Sequence, residues 1–543
     1  MARASSPTAV LILLALFHLS AAQLFPGNQI PLGHAAVGEN KLWRNERLPR
    51  IAVIGAGAGG SSAAYFLSHF GGLKEQGLAT DVTVYEAENS VGGRSTVVWP
   101  WNDEPFEDPR RLGEPENLHE APVEAGASIF VDANKNLQKA LLTFNLTTEQ
   151  YGGEDGGTAI WDGERFIYEE GGRFSWDWWS KAKMLWRYGR SPFTVRSLVK
   201  STVADFTSLY SAPFVSGGAF TSLFNFSRAT NLDEVVSAYG DEFFASKGVS
   251  PLFTNEITSA ATTVNYGAPI SRIHGVGALV SLAPTGAVSV KGGNRRIFEE
   301  FVGRSGARLR LGDDAKVDTL LKLDGGKGER AQWVVKTASG VGGGTYDAVI
   351  LAAPFWQTGI RFVNSMAPAL IPHQTYRRLH VTFVITNAST PQPSYFGFSD
   401  KTRMPNSIFG TFSTPSTSKP SFNSLNYLKP LPASIGSRFG EGEFHVVKMF
   451  SEHKIEPAVL EALYGSGNVG KLVEKVWLAY PELDPVSSER DFAPVRPDDG
   501  LYYVNGFERL ISTVSSFNVV SLLLKDFFDF VPPASWAEWD EPE

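Results

Sequence analysis

Three glycines, spaced as Gly55-x-Gly57-x-x-Gly60, have the chemistry to approach a phosphate-bearing cofactor. They follow the apolar segment 51–54 and precede a run of small and apolar residues. This order of strand, glycine turn and helix is typical of a dinucleotide-binding unit, in which the helix N-terminus attracts a pyrophosphate. Glu86 ends the next alternating segment, where its carboxylate could accept hydrogen bonds from an adenosine ribose. The two features together favour a nucleotide site over a purely structural glycine loop.

A second glycine turn bears on the identity of the cofactor. Gly92-Gly93-Arg94 follows Glu86 closely, and a nicotinamide-binding unit needs nothing at that point. The run from Glu86 to Arg94 resembles a class of FAD oxidases in which the turn and its arginine approach the FAD phosphates. We therefore predict FAD as the cofactor. Only one complete glycine fingerprint is visible, so oxygen or another acceptor, not a second nicotinamide site, would reoxidise the flavin.

Composition excludes several other kinds of chemistry. The 543 residues are 43% apolar and 20% charged, with a formal net charge of −8, so there is no global attraction to nucleic acid. The chain has no cysteine, which rules out disulfides, thiolate catalysis and a cysteinyl flavin. The histidines lack zinc-like spacing, so no metal site is expected.

The N-terminus reads as a secretory signal. Residues 1–22 combine Arg3, an apolar core at 9–17 and small residues before Gln23. The core is too short for a membrane span, although a retained anchor is the alternative. We predict a destination in the secretory pathway, either lysosome or vacuole or the extracellular space. Three sequons are predicted glycosylation sites, at Asn145, Asn225 and Asn387.

The predicted fold class is α/β: a Rossmann-like FAD-binding domain of the glutathione-reductase/amine-oxidase type with an interleaved α+β substrate domain. A buried strand at 346–354 belongs beside the cofactor, and β-like segments at 378–386 and 445–450 belong to the substrate domain. A helix is expected from near Gly506 through Leu524. The predicted divisions are a signal peptide at 1–22, a polar leader at 23–48, FAD-binding segments at 49–150, 271–364 and 491–530, substrate segments at 151–270 (mostly helical) and 365–490, and an acidic tail at 531–543.

Several longer segments resemble the prenylcysteine oxidase family. They are spread over nearly the whole chain, at 124–137, 177–189, 265–267, 275–283, 290–294 and 500–508. The resemblance implies an FAD thioether oxidase that takes S-prenyl cysteine, water and O2 and releases a prenyl aldehyde, cysteine and hydrogen peroxide. Its partners would be that small molecule and oxygen, with possible peripheral lipid contact and no transmembrane span. The C-terminal segment 509–517 has fewer small residues than the family pattern, so the packing of that helix on the flavin is expected to differ.

In this interpretation the protein positions the substrate, excludes water and stabilises the reduced flavin. The candidate cofactor contacts, besides the two glycine turns and Glu86, are Gly126, Asn505, Gly506 and Phe507. Lys291 and Glu508 are candidate catalytic groups, although a solvated loop lysine and a helix-capping acid are the plainer alternatives.

A prenyl chain needs an apolar channel, for which Trp179, Trp186 and Tyr266 are candidates. Aromatic residues at helical spacing are more often ordinary core. Two other functions stay open at this point. One is an FAD oxidase acting on an amine or a different lipid, and the other is a non-catalytic secreted lipid carrier on the same scaffold, against which the intact glycine turns argue.

Overall fold

The computed structural model describes residues 47–70, 73, 76–107, 122–150, 157–169, 184–210, 220–283, 286–326, 329–510 and 515–528. The strands within these ranges are, in chain order, β1 Arg50–Ile54, β2 Asp81–Glu86, β3 Val97–Val98, β4 Val123–Glu124, β5 Thr148–Gln150, β6 Thr158–Trp161, β7 Phe166–Glu169, β8 Val288–Val290, β9 Arg308–Leu311, β10 Val317–Leu323, β11 Gln332–Thr337, β12 Gly344–Tyr346, β13 Ala348–Leu351, β14 Arg361–Val363, β15 Tyr376–Thr386, β16 Ser407–Gly410, β17 Ser424–Pro430, β18 His445–Ser451, β19 Val469–Pro481 and β20 Leu501–Tyr503.

The helices surround these strands. The α-helices are α1 Ala58–His69, α2 Lys135–Thr143, α3 Ser191–Thr207, α4 Leu223–Ala229, α5 Asp233–Val236, α6 Gly240–Ser246, α7 Pro251–Phe253, α8 Ser259–Tyr266, α9 Gly275–Val280, α10 Arg295–Arg304, α11 Phe355–Thr358, α12 Ala367–Leu370, α13 Ala433–Gly436, α14 Pro457–Tyr464 and α15 Ser515–Phe528. Residues 184–188 are also helical. A π-helical turn, Thr254–Thr258, joins α7 to α8, and 3₁₀ helices lie at Ser208–Tyr210, Ile270–Arg272, Asp313–Ala315, Pro393–Phe396, Glu489–Asp491 and Asn505–Leu510.

A parallel sheet of five strands, in the order β20-β13-β1-β2-β9, carries the glycine turn. Strands β1 and β13 are short apolar runs that are buried on both faces, as central parallel strands normally are. Helices α1 and α10 pack together near this sheet, and α1 also packs on α15. The strand predicted at 346–354 is therefore confirmed as a central strand beside β1.

A larger sheet, in the order β19-β15-β18-β17-β16-β6-β7, forms the second body of the fold. The strands predicted at 378–386 and 445–450 are confirmed as β15 and β18, which pair antiparallel. Strand β15 is buried on both faces because Val381 and Phe383 pack on the Trp99 side, whereas Val384 packs on the Trp161 side. The hairpin β6–β7 joins the same sheet through a parallel pairing with β16. Segments on either side of the second Rossmann portion thus share one sheet, while the exact domain bounds stay predictions.

The C-terminal helix begins later than the sequence predicted. Residues Asn505–Leu510 form a 3₁₀ helix, and the α-helix that follows is Ser515–Phe528. Serine and threonine at 512–516 favour helix starts over helix interiors. The expectation of a helix from near Gly506 is therefore corrected.

Candidate active site

The glycine turn has the backbone conformation that a close-approaching dinucleotide requires. Gly55 has φ +100°, and a Cβ atom there would lie 2.7 Å from the Ala352 carbonyl oxygen. A Cβ on Gly60 would lie 1.8 Å from the Gly55 oxygen. Helix α1 starts after Gly57, which has no side chain to cap the first N–H groups. Those donors are thus left for an anionic ligand.

The second glycine turn packs directly on the first. Gly92 donates its N–H to the Ala56 oxygen at 3.0 Å, and Gly57 and Gly92 form a parallel bridge. Gly92 and Gly93 both have positive φ, +129° and +55°. A Cβ on Gly93 would lie 3.1 Å from the Gly57 Cα, so the two turns could not approach as closely with larger residues.

Glu86 lies at the end of β2 beside these turns. Its two carboxylate oxygens accept N–H groups from Ala56 at 2.7 Å and Glu88 at 2.9 Å. Each oxygen retains a second lone pair, which suits the hydroxyls of a ribose. Burial raises the pKa of Glu86, although these backbone donors oppose the shift. The glycine turns and Glu86 therefore fit a bound dinucleotide.

Arg94 and Glu508 form the centre of a polar cluster. The Arg94 guanidinium pairs with Glu508 Oε1 and also donates to the Ala479 oxygen at 3.2 Å. Glu508 further accepts the Tyr376 hydroxyl at 2.6 Å and Asn505 Nδ2 at 2.7 Å. Burial, reinforced by the charge of Glu508, raises the pKa of Tyr376, which keeps its proton. Glu508 thus holds Arg94 and Tyr376 in place and does not begin a long helix.

The loop after β4 is fixed between the two sheets. A Cβ on Gly126 would lie 2.0 Å from the Arg94 oxygen and 2.5 Å from Trp477, so only glycine fits. Asn294 donates its backbone N–H to Glu124 Oε1 at 2.5 Å and its side chain to the Ala127 oxygen at 2.8 Å.

A buried lysine completes the contacts to this loop. Lys448, on β18, has only 2% of its surface exposed. Its ammonium donates to the Glu124 oxygen at 2.9 Å and to Ser128 Oγ at 2.7 Å. Burial raises the pKa of Glu124 to about 7, against the opposing effects of Asn294 and the nearby cations. The loop is therefore held by Asn294, at the N-cap of α10, and by Lys448, on β18.

An apolar cavity of about 360 Å³ opens beside this loop and the start of α1. Its apolar lining comes from well-separated segments of the chain and includes Ile129, Phe130, Val203, Phe206, Tyr266 and Phe298. Asn265 and Asn294 are among its polar members, and Ala58 and Ser62 bring it against α1. This volume falls within the range of small-molecule sites, about 300–1,000 Å³.

A polar cavity of about 450 Å³ lies next to the apolar one. Tyr266 lines the apolar cavity and Tyr480 lines the polar one, and their ring centroids are 6.1 Å apart at an edge-to-face angle. Tyr376 also lines the polar cavity, which places that cavity beside the Arg94–Glu508 cluster. The Tyr266–Tyr480 pair therefore stands where the walls of the two cavities are in contact.

The predicted site residues lie in three places: around Arg94, at the wall of the apolar cavity, and in packed positions of the core. Gly126, Asn505 and Glu508 lie around Arg94, and Tyr266 lines the apolar cavity. Phe507 is buried against Phe226, with ring centroids 5.6 Å apart, and a Cβ on Gly506 would contact Ala493 at 3.3 Å. The side chain of Phe507 and the Cα of Gly506 are therefore occupied by packing.

Lys291 and Trp186 do not line the apolar cavity. Lys291 is held through its backbone, to Thr147 at 2.9 Å. The motif that contains it supplies Asn294 instead. Trp186 has 90% of its surface exposed, which corrects its assignment to a channel wall. Its position two residues before the buried Tyr188 turns it to solvent. Trp179 lies outside the described residues.

Sequence reasoning missed Asn294, Tyr376, Lys448 and Tyr480. Lys448 had a readable signal, because it stands inside the apolar segment 446–450. Asn294 follows the Gly-Gly pair at a helix start, where asparagine is common. The two tyrosines had no such signal, since their roles depend on how β15 and β19 meet the cofactor-binding sheet.

The described residues contain no group of histidines and acids that could hold a metal ion. None of their helices is long and apolar enough to cross a membrane.

The fold is an α/β Rossmann-like architecture, and comparisons with solved structures agree. The fold is similar to a putrescine oxidase at TM-score 0.54 and 15% identity, over 89% of this chain and 100% of that one. It is also similar to the cyclohexylamine oxidase of Brevibacterium oxydans, at TM-score 0.51 and 13% identity, over 88% and 100% of the two chains. At these identities the likeness concerns the fold alone.

Sequence comparisons give the family. A model for NAD(P)-binding Rossmann-like domains matches residues 53–142, and a model for prenylcysteine lyase matches residues 173–527. The chain is 26% identical to farnesylcysteine lyase of Arabidopsis thaliana over 88% of both chains. It is 26% identical to human prenylcysteine oxidase 1 over 84% of both. The protein therefore belongs to the prenylcysteine lyase family, as its sequence motifs predicted.

Proposed function

We propose that this protein is an FAD-dependent thioether oxidase that cleaves S-prenyl cysteine. One molecule each of thioether, water and O2 would give one each of prenyl aldehyde, cysteine and hydrogen peroxide. Its relatives are named for farnesylcysteine and prenylcysteine. We call the two glycine turns and Glu86 the nucleotide cradle. The observation that carries the proposal is the apolar cavity beside this cradle, because an isoprenoid chain needs apolar walls next to the reacting centre.

Different residues would bind the cofactor, exclude water and position the polar groups. The N–H groups at the start of α1 and the Gly92-Gly93 turn would hold the pyrophosphate, and Glu86 would hold the adenosine ribose. FAD bound there would supply the two-electron acceptor and pass the electrons to O2. The phenyl rings of Phe130, Phe206 and Phe298 would exclude water from the prenyl chain. Glu508 keeps Arg94 and Tyr376 in position, with the proton on the Tyr376 oxygen.

Anaerobic mixing of the purified protein with S-farnesylcysteine tests the proposal directly. We expect the oxidised flavin absorbance near about 450 nm to bleach, and hydrogen peroxide to appear when air is readmitted. A saturated S-alkyl cysteine of equal chain length is the matched control. It would fill the cavity but lacks the allylic carbon next to sulfur, so it should not bleach the flavin. A yellow protein that S-farnesylcysteine leaves oxidised, while an amine such as putrescine bleaches it, would contradict the proposal.

A protein without flavin gives the other contrary result. Purification of the full chain in a colourless form that FAD addition does not restore would favour the lipid-carrier alternative. Absorbance of the purified protein, before and after dialysis against FAD, separates this result from a failure of the substrate assignment.

We propose the secretory pathway as the location, with glycans at exposed sequons. Asn145, Asn225 and Asn387 are all exposed, but Ser227 of the second sequon is buried within α4, so Asn145 and Asn387 are the better acceptors. The predicted signal peptide lies outside the described residues. Glycosidase treatment of the protein expressed in a eukaryotic host tests this point, and absence of any mobility change would contradict it.

Peripheral lipid contact is part of the same proposal. Two neighbouring segments expose large apolar side chains, namely Leu185, Trp186, Phe193 and Leu252. The segments are joined by a hydrogen bond from the Ser250 N–H to Ser191 Oγ at 2.9 Å. The other end of α3 lines the apolar cavity. A prenyl lipid leaving a membrane would thus meet a short apolar route. Flotation with phosphatidylcholine–phosphatidylglycerol vesicles should recover the wild-type protein and less of Trp186→Ala.

A further inference from the structure

The polar cavity is lined by more arginines than carboxylates. Its cationic lining residues include Arg272, Arg377 and Arg378, whereas its carboxylates are Glu452 and Glu482. Among the described residues, neither Arg272 nor Arg378 lies within ion-pair distance of an acid. Strongly hydrogen-bonding cations that converge on a concave surface are typical of sites for carboxylate or phosphate groups.

Arg377 is the most enclosed of the three arginines. Its side chain is 13% exposed and its Nη2 lies 3.5 Å from Glu482 Oε1. That contact is single and long, and Glu482 Oε2 already accepts the Thr375 hydroxyl at 2.6 Å. The fork of the Arg377 guanidinium is therefore only partly used, and a bidentate acceptor would satisfy it better.

Two arginines at the cavity repel each other. Burial and the like charge of Arg272 lower the pKa of Arg377, against the opposing effects of Glu482, Glu452 and Asp484. His380 lines the same cavity, and its Nδ1 is buried without a hydrogen-bond partner in the described part of the chain. A carboxylate between the arginines would relieve the repulsion.

We propose that Arg377 and Arg272 bind the α-carboxylate of the amino-acid end of the substrate in this polar cavity. The inference rests on the proposed function and extends it from the prenyl chain to the head group. With the chain in the apolar cavity and the carboxylate in the polar one, the carbon–sulfur bond lies at the Tyr266–Tyr480 junction. Tyr376 precedes Arg377 on β15 and bonds to Glu508 at 2.6 Å, so this head-group site adjoins the predicted cofactor cluster.

A structural role for Arg377 makes a different prediction. If Arg377 only anchored Glu482, its loss would change stability and affect every substrate equally. If Arg377 binds the substrate carboxylate, its substitution would weaken binding only of ligands that carry a carboxylate. Comparison of S-farnesylcysteine with S-farnesylcysteamine, which lacks the carboxylate, separates these two roles.

The test uses the purified holoprotein and the variants Arg377→Gln, Arg272→Gln and Arg377→Lys. For Arg377→Gln we expect the KM for S-farnesylcysteine to rise about 10- to 100-fold, the range set by hydrogen bonds to charged groups, with kcat changed much less. The KM for S-farnesylcysteamine should stay within about two-fold, since only the carboxylate contact is lost. Arg272→Gln should show a smaller effect of the same kind, and Arg377→Lys should recover part of the loss. Arg361→Gln is the matched control, because Arg361 is an exposed arginine on β14, which pairs with β10 and does not line the polar cavity.

Equal changes of KM for both thioethers in Arg377→Gln, or no discrimination between them by the wild type, would exclude carboxylate recognition here. A binding measurement keeps the test independent of turnover. Calorimetric titration of the oxidised protein with S-dodecylcysteine should show weaker binding to Arg377→Gln than to the wild type. If neither thioether bleaches the flavin but this binding difference remains, the proposed function fails and the carboxylate site stands; equal binding would overturn the site.

Discussion

The nucleotide cradle and the paired cavities are built from different parts of the polypeptide. The cradle consists of backbone: glycines in positive-φ conformations, free N–H groups at a helix start, and one strand-end acid. The cavities are lined by side chains from distant segments, and Tyr266 of one wall contacts Tyr480 of the other. We therefore expect a substitution in the cradle to remove most of the bound cofactor, whereas a substitution in a cavity should change which ligand fits.

The largest effect is expected at Gly55. Gly55→Ala places a Cβ 2.7 Å from a backbone oxygen at φ +100°. We expect loss of most bound flavin, and a fall in the free energy of unfolding of about 2–3 kcal/mol because the backbone cannot move away cheaply. Flavin absorbance per protein and urea unfolding measure the two effects.

Gly248→Ala is the matched control for this experiment. Gly248 has φ +76°, but a Cβ there has no neighbour within 4 Å. It should cost only the backbone preference, roughly 1 kcal/mol, and retain the flavin. Full flavin content in Gly55→Ala would show that the cradle tolerates side chains and would remove its contrast with the cavities.

The same difference explains what could be predicted from the sequence. Gly55, Gly57, Gly92 and Gly93 were predictable because the constraint on each is local: a positive φ or a contact between neighbouring turns. Strands β13, β15 and β18 were predictable because apolar runs of that length are typical of buried strands.

The partners of the site residues were not predictable in the same way. Arg94 finds Glu508 from 414 positions away, and Lys448 reaches Ser128 across 320. No local pattern encodes such pairs, since sheet order and packing create them. Lys291 illustrates this: it stays a candidate catalytic group, but the residue of its turn that lines the apolar cavity is Asn294. Family resemblance located the segments without telling which side chains in them face the cavity.

The next largest effect is expected at Glu124, on β4. Its carboxylate accepts the backbone N–H of Asn294, which lines the apolar cavity. The pKa of Glu124 is raised to about 7 by burial, from an ordinary value of 4.5. Between these pH values the folded protein holds a proton that the unfolded chain has lost, so stability falls as pH rises from about 4.5 to about 7, by up to roughly 3 kcal/mol. Glu124→Gln should remove that slope in urea unfolding measured across this range.

His274 provides an internal control with the opposite sign. Burial lowers its pKa to about 4, although Nε2 contacts the Arg509 oxygen at 2.8 Å. The unfolded chain then binds the additional proton, so this contribution to stability is lost as pH falls from about 6.5 to about 4. In Glu124→Gln the His274 contribution should remain, so stability should rise more steeply with pH than in the wild type. An unchanged profile in the variant would place the titrating group elsewhere.

The smallest effect, and the one that most sharpens the contrast between the cavities, is expected at Phe206. This half-buried ring on α3 lines the apolar cavity. Phe206→Ala removes apolar contact from the prenyl chain, so we expect KM to rise about five-fold, which corresponds to about 1 kcal/mol of lost burial. Because the contact is with the chain and not the head group, the rise should be equal for S-farnesylcysteine and S-farnesylcysteamine. Phe224→Ala, a similarly half-buried ring away from the cavity, should leave both values unchanged. A rise for only one of the two thioethers would mean that the cavities do not read the two ends of the substrate separately.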